Sequence, residues 1–331
     1  MARRENFREQ QCLHSMKRIC FIVYLAFIAF KLQAQIKWIN VDSLFGNLPA
    51  SVHVYKTTDP LEGKPNIAYY VEADLKDRRL NFTSDTTHKR RLTPQQFYTK
   101  NNNPVVVVNC TFFSFATNQN LNPVIKAGKL VSYDAHSRKR KDGFTYLHTF
   151  GSAIGISKRR KADIAWLYTD SIKGKVMALQ NPVNAFADSS NFYKPGINAV
   201  NILDSGAVKW KMRTAVGGGP VLLQDGEIKI TNNEELKFAG KAIDDKHPRT
   251  GMGYTKNYKL IILVIEGRNK GIAEGASLIQ EAKLFKELGC LEALNLDGGG
   301  SSCMLVNGKE TISPSDKKQR PVPAAFIIEK N

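Results

Sequence analysis

Short apolar runs recur along the chain, several alternating apolar and polar residues with a period of two. They include "SVHVY" (51–55), "IAYYVEADL" (67–75), "SAIGIS" (152–157), "ADIAWLY" (162–168), "PVLLQ" (220–224), "KLIILVIEG" (259–267) and "AAFIIEK" (324–330). A period of two is the signature of a strand with one face buried. "PVVVVNCTFF" (104–113) is more uniformly apolar, and it, "LEALNLD" (291–297) and "CMLVN" (303–307) predict buried strands. Turn signals separate many of these runs: "AGK" (127–129), Asp225-Gly226, Lys256-Asn257 and Asn307-Gly308. Such pairs between strand patterns mark hairpins. The pattern predicts an α+β chain, a mostly antiparallel β-sheet core with a few packed helices.

Two segments read as helices. Thr93 precedes Pro94 and "QQFYTKN", an N-cap followed by proline at the first helical position. Ser277 and Gln280 have capping-box spacing. Leu278, Ile279, Ala282, Phe285 and Leu288 then form one apolar stripe before Gly289. This helix leads directly into "LEALNLD" and is expected to lie on the sheet that ends at Asp297. Residues 36–100 differ in texture and read as a small N-terminal appendage of strands, with the main domain over 101–331.

The front end looks like a targeting segment. Met16-Lys17-Arg18 precedes the apolar run "ICFIVYLAFIAF" (19–30), and Ala34 offers a small residue for cleavage. This is the pattern of a secretory signal peptide over residues 1–35, cleaved near Ala34/Gln35, with Met16 a candidate start. It predicts a secreted or periplasmic protein with no stable membrane span after processing. Of five cysteines, Cys12 and Cys20 fall in the signal. Cys110, Cys290 and Cys303 remain without CxxC spacing, which offers no disulfide framework or zinc site.

The formal charge is +18, and removing the six basic and two acidic residues of 1–35 leaves +14. A surface so basic favours anionic partners. The clusters "HKRR" (88–91), "RKRK" (138–141) and "KRRK" (158–161) are scattered and lack interleaved aromatics, so they read as loops rather than as a nucleic-acid surface.

Four stretches place polar residues or glycines just beyond an apolar run. Asn109 ends four valines. Arg213-Thr214 precedes Gly217-Gly218-Gly219. Arg249-Thr250 precedes Gly251. Asp297 opens Gly298-Gly299-Gly300-Ser301-Ser302. Arginine beside a glycine turn suits an anion, because the guanidinium offers a planar fork and glycine lets backbone N–H groups approach. Neither a P-loop nor a dinucleotide fingerprint is present.

These stretches, in this order, resemble the phosphodiester glycosidase, or uncovering-enzyme, family over roughly residues 104–329. The resemblance rests on "VVVVNCTFFS", "VGGGPVLLQDGE", "HPRTGMGYTKNYKLIILVIEGR", "GASLIQEAKLFKELGCLEALNLDGGGSSCMLVNG" and "QRPVPAAFII". It implies hydrolysis of the glycosidic bond of a sugar-1-phosphodiester, with a phosphorylated glycan or related conjugate as substrate. It also implies a catalytic set of Asp297, Glu266 and Arg249. Asn109, Arg213, Thr250, Gly298, Gly299, Gly300, Ser301 and Arg320 are implied as substrate-binding residues. Two positions depart from the family: Glu266 stands where Asp is common, and Cys110-Thr111 where glycine is common. No cofactor is required, although Asp297, Glu266 and Asn109 could gather around Ca²⁺ or Mg²⁺ in a metal-assisted hydrolase. A non-catalytic glycan- or phosphate-binding module of the same fold is the other alternative.

Overall fold

The computed structural model describes residues 35–198 and 200–331. The signal segment therefore falls almost wholly outside the described residues. Three main antiparallel sheets build the domain. The large sheet has eight strands, in the spatial order Ile39–Asn40, Val52–Thr57, Ala68–Asp74, Lys259–Ile265, Arg249–Thr255, Cys290–Asn295, Val221–Gln224 and Glu227–Ile228. A five-stranded sheet runs Lys309–Glu310, Met304–Val306, Val106–Asn109, Ala324–Lys330 and Leu80–Thr86. A seven-stranded sheet runs Val208–Lys209, Lys175–Leu179, Ala162–Asp170, Ser152–Ser157, Met212–Gly217, Val124–Lys126 and Lys129–Ser132. A small sheet of three strands completes the set.

One apolar cluster joins the three main sheets. Val54, Val71, Ile262 and Leu294 come from the large sheet, Val106, Val108 and Phe326 from the five-stranded sheet, and Ile154, Ile164 and Trp166 from the seven-stranded sheet. The valine run explains itself here. Val106–Asn109 is an inner strand, paired with Met304–Val306 on one side and Ala324–Lys330 on the other. Val106 and Val108 face the main core, whereas Val107 faces a second cluster with Phe97 and Ile327. Both faces are buried, so the run shows no alternation. Each fully buried valine is worth about 1.5–3 kcal/mol.

The hairpin turns predicted from Asp225-Gly226 and Asn307-Gly308 form, with positive φ at all four residues. Both helices form with complete capping boxes, Pro94–Lys100 behind Thr93 and Leu278–Glu287 behind Ser277. Two expectations change. Residues 36–100 are not an appendage. Ala68–Asp74 pairs with Lys259–Ile265 along its whole length, and Leu80–Thr86 does the same with Ala324–Lys330. The face of the longer helix also differs from the expected stripe. Ile279 is exposed, while Leu284, Gln280 and Glu281 are buried. No helix among the described residues is long and apolar enough to cross a membrane. Cys110, Cys290 and Cys303 are free and buried.

Candidate active site

The chain leaves the large sheet at Asn295 and enters the five-stranded sheet at Met304, and the glycine run makes that crossing. Asp297 donates its N–H to Cys110 O (2.8 Å), just beyond the valine strand. Gly298 and Gly299 lie against Pro248, whose carbonyl accepts from Gly299 N–H at 2.8 Å. A Cβ at Gly298 would sit 2.8 Å from that same carbonyl oxygen, and one at Gly300 would land on the Arg320 guanidinium. Glycine is required because backbone and arginine occupy the space a side chain would need.

Asn109 locks the junction. It is fully buried, its Nδ2 donates to Asp297 O (2.5 Å), and its Oδ1 accepts from Thr250 Oγ1 and Cys303 N–H, each at 3.0 Å. Thr250 is equally buried. Both side chains are thus engaged inside the protein and brace the turn from beneath. No three His, Cys, Asp or Glu side chains gather as metal ligands among the described residues.

Asp297 is half-buried, and the enclosure of its carboxyl pushes its pKa up to about 7, with the Ser301 hydroxyl and the Arg320 charge opposing that rise. Arg320 is held by Asp316 through Nε (3.0 Å) and Nη2 (2.7 Å), and its Nη1 reaches the Ser301 hydroxyl at 3.4 Å. Arg249 is buried. Its Nε donates to Ala276 O (2.8 Å) and its Nη2 to Asp245 O (3.2 Å), and it lies over the Phe238 ring. Its Nη1 has no protein acceptor among the described residues. Burial lowers the Arg249 pKa, and the nearby Arg268 adds to that, whereas Glu281 opposes it.

Glu281 lies beneath, fully buried, with no hydrogen bond to either carboxylate oxygen. Burial pushes its pKa up to about 8, against the pull of Arg249. Burial thus favours the neutral acid over the carboxylate. Glu266 follows the strand that pairs with Arg249. Its Oε2 accepts from Ser313 N–H at 3.0 Å, and its Oε1 has no protein donor among the described residues.

Two residues that the motif reading passed over belong here. Arg268 is exposed, has no side-chain hydrogen bond or ion pair among the described residues, and would sit 2.9 Å from a Cβ at Gly299. His247 is half-buried, and desolvation, Arg249 and Arg268 all lower its pKa. The signal for both was adjacency. His247 stands two residues before Arg249 in "HPRTG", and Arg268 directly follows Glu266-Gly267. Arg213 does not join them. It is exposed and sits four residues before Gly217, at the far end of the extended strand Met212–Gly217. Four residues of strand span about 13 Å.

An enclosed acid thus sits at a glycine turn against which Arg268, with no partner of its own among the described residues, and Arg320 both lie. That arrangement suits an anion beside a reacting carbon. Residues 102–329 match the phosphodiester glycosidase family. The chain belongs to the phosphodiester glycosidase family. It is 24% identical over 214 residues to mouse N-acetylglucosamine-1-phosphodiester alpha-N-acetylglucosaminidase, a match covering 65% of this chain and 34% of that one. It is 38% identical over 83 residues to the SPbeta prophage-derived uncharacterized protein YomE of Bacillus subtilis, covering 25% and 13%. The chain spans about a third of the mouse relative. Among solved structures, the zebrafish N-acetylglucosamine-1-phosphodiester alpha-N-acetylglucosaminidase catalytic domain, auto-inhibited by its pro-peptide, superposes with a TM-score of 0.56 at 22% identity, covering 90% of this chain and 89% of that one. A hypothetical protein from Synechocystis superposes with a TM-score of 0.58 at 16% identity, covering 91% and 69%. These likenesses establish a shared fold.

Proposed function

We propose that the protein is a secreted or periplasmic hydrolase that cleaves the glycosidic bond of a sugar-1-phosphodiester. The observation that carries the proposal is the enclosed Asp297 carboxyl at the head of a glycine turn against which Arg268 and Arg320 lie. In the reaction water adds to the anomeric carbon and the C1–O bond to phosphate breaks. Free sugar and a phosphomonoester leave. The phosphate departs as a stable anion, so the step needs charge stabilisation more than a strong general acid. Arg249 Nη1, Arg268 and Arg320 take the phosphate oxygens. Asp297 accepts the proton of the attacking water, or attacks the anomeric carbon itself. Glu266 is the second carboxylate, and the backbone N–H groups of Gly298 and Gly300 complete the anion cradle. Asn109 and Thr250 position this turn. Secretion rests on the pattern of residues 16–35 alone.

The test is a panel of sugar-1-phosphodiesters scored for free sugar, run with wild type and with Asp297→Asn. Turnover of at least one member is expected, with kcat falling by about 10²–10⁴-fold in the variant, the usual contribution of such a group. Binding without turnover across the panel would make the protein a glycan-binding module instead.

A further inference from the structure

The seven-stranded sheet has two unlike faces. Ile154, Ile156, Ile164, Trp166 and Val216 point into the shared core. The other face carries Ala153, Gly155, Ala165, Ala178 and Ala215. The alanines are buried in a separate apolar cluster with Ile125, Leu167 and Val176. Trp210 and Met212 fold over Gly155, where a Cβ would lie 2.6 Å from the Trp210 ring. Beside them a groove of about 560 Å³ stays open, floored by Val176, Trp210 and Met212.

Its rim is entirely basic. Lys158, Lys173, Lys175, Lys209, Lys211 and Arg213 line it, and no acidic residue does. All six are exposed, and among the described residues none forms a salt bridge. They come from three separate segments, the turn after Ser157 and the stretches 173–175 and 208–213, so tertiary structure assembles the cluster. Six like charges around one hollow repel each other, and a bound polyanion relieves that repulsion. The groove is distinct from the Asp297 turn, since Arg213 lies at the opposite end of its strand from Gly217.

We propose that this groove is a second binding site, one that holds the anionic backbone of a phosphate-bridged glycan. Nucleic acid fits less well. The one aromatic ring in the groove, Trp210, is only 7% exposed and donates its indole N–H to Asp163, so no base-stacking platform is offered. The identity of the polymer rests on the proposed function, but anion binding by the groove does not.

The test uses the full chain, with calorimetry and intrinsic tryptophan fluorescence as readouts. The probes are inorganic tripolyphosphate, a phosphomannan and a single-stranded oligodeoxythymidine. Two variants remove the same charge: Lys173→Gln/Lys209→Gln/Lys211→Gln in the groove, and Arg138→Gln/Lys139→Gln/Lys141→Gln in the outlying hairpin 137–148 and its loop. All six positions are exposed, so both variants are expected to fold. The groove variant should bind tripolyphosphate and phosphomannan about tenfold more weakly, each exposed pair being worth up to roughly a factor of five. The hairpin variant should bind like wild type. Turnover of a small sugar-1-phosphodiester, if wild type shows it, should be unchanged in the groove variant. Equal weakening in both variants would reduce the effect to diffuse surface charge and overturn the proposal. Tighter binding of the oligodeoxythymidine than of phosphomannan would overturn it in favour of nucleic acid. Retained groove binding in a protein that hydrolyses nothing would refute the catalytic reading and leave this one standing.

Discussion

Asp297→Asn separates a catalytic carboxyl from a turn-former by stability as well as by rate. The carboxyl titrates at about 7 in the folded chain against 3.8 when unperturbed. Between these values the folded state holds a proton that the unfolded state has released. Stability must therefore fall as pH rises through this window. At about 1.4 kcal/mol per unit, the shift from 3.8 to about 7 is worth up to about 4 kcal/mol. That figure is an upper limit, because Asp297 keeps some exposed surface. Asparagine has the shape of the neutral acid and does not titrate. The variant should match wild type near pH 4 and be more stable by up to about 4 kcal/mol above pH 7. Urea unfolding of both proteins across that range measures the difference, in which every other titrating group cancels. A difference that stays flat with pH, or an asparagine variant less stable than wild type at high pH, would refute the reasoning and return Asp297 to the role of a turn cap.

Two further substitutions probe the arginines. Arg249→Lys should lower kcat/KM by about tenfold or more although the charge is kept, because lysine cannot reach both the carbonyls of Ala276 and Asp245 and the substrate with one ammonium; near-wild-type kinetics would make Arg249 a spectator. Gly300→Ala should displace the Arg320 guanidinium, against which the new methyl would collide. KM for the phosphodiester should rise several-fold and stability fall by about 1–3 kcal/mol, as for other overpacked sites, read by steady-state kinetics and thermal unfolding.

Much of the fold was legible because local chemistry decided it. Asp225-Gly226 and Asn307-Gly308 make hairpins from their own backbone preferences, and Thr93 and Ser277 start helices with their own side chains. The crossing at Asp297 was legible because three glycines after a buried strand demand close approach. What was hidden depended on distant partners. Residues 36–100 look unlike the rest, yet their strands complete two sheets whose other members lie near the C-terminus. Arg213 shares the arginine-before-glycine pattern of Arg249, but an extended strand carries it away from its glycines, whereas Arg249 lies against Pro248 and the turn. Asn109 ends its strand as expected, and only the fold reveals that its amide is consumed by Asp297, Thr250 and Cys303. Glu281 breaks the apolar stripe of its helix inward, because Gly251 opposite leaves room for a carboxyl where a larger residue would exclude it.

That buried acid beneath Arg249 has a cost in turnover. Since Glu281 favours its neutral form, nothing beneath the arginine competes with a bound phosphate. On the proposed chemistry the incoming diester bears one negative charge, while the departing monoester bears nearly two, its second pKa being about 6. Arg249 and Arg268, the latter unpaired among the described residues, therefore grip what the site makes more firmly than what it consumes. Release of the phosphomonoester would then govern the rate of the whole cycle, and accumulating product would throttle it.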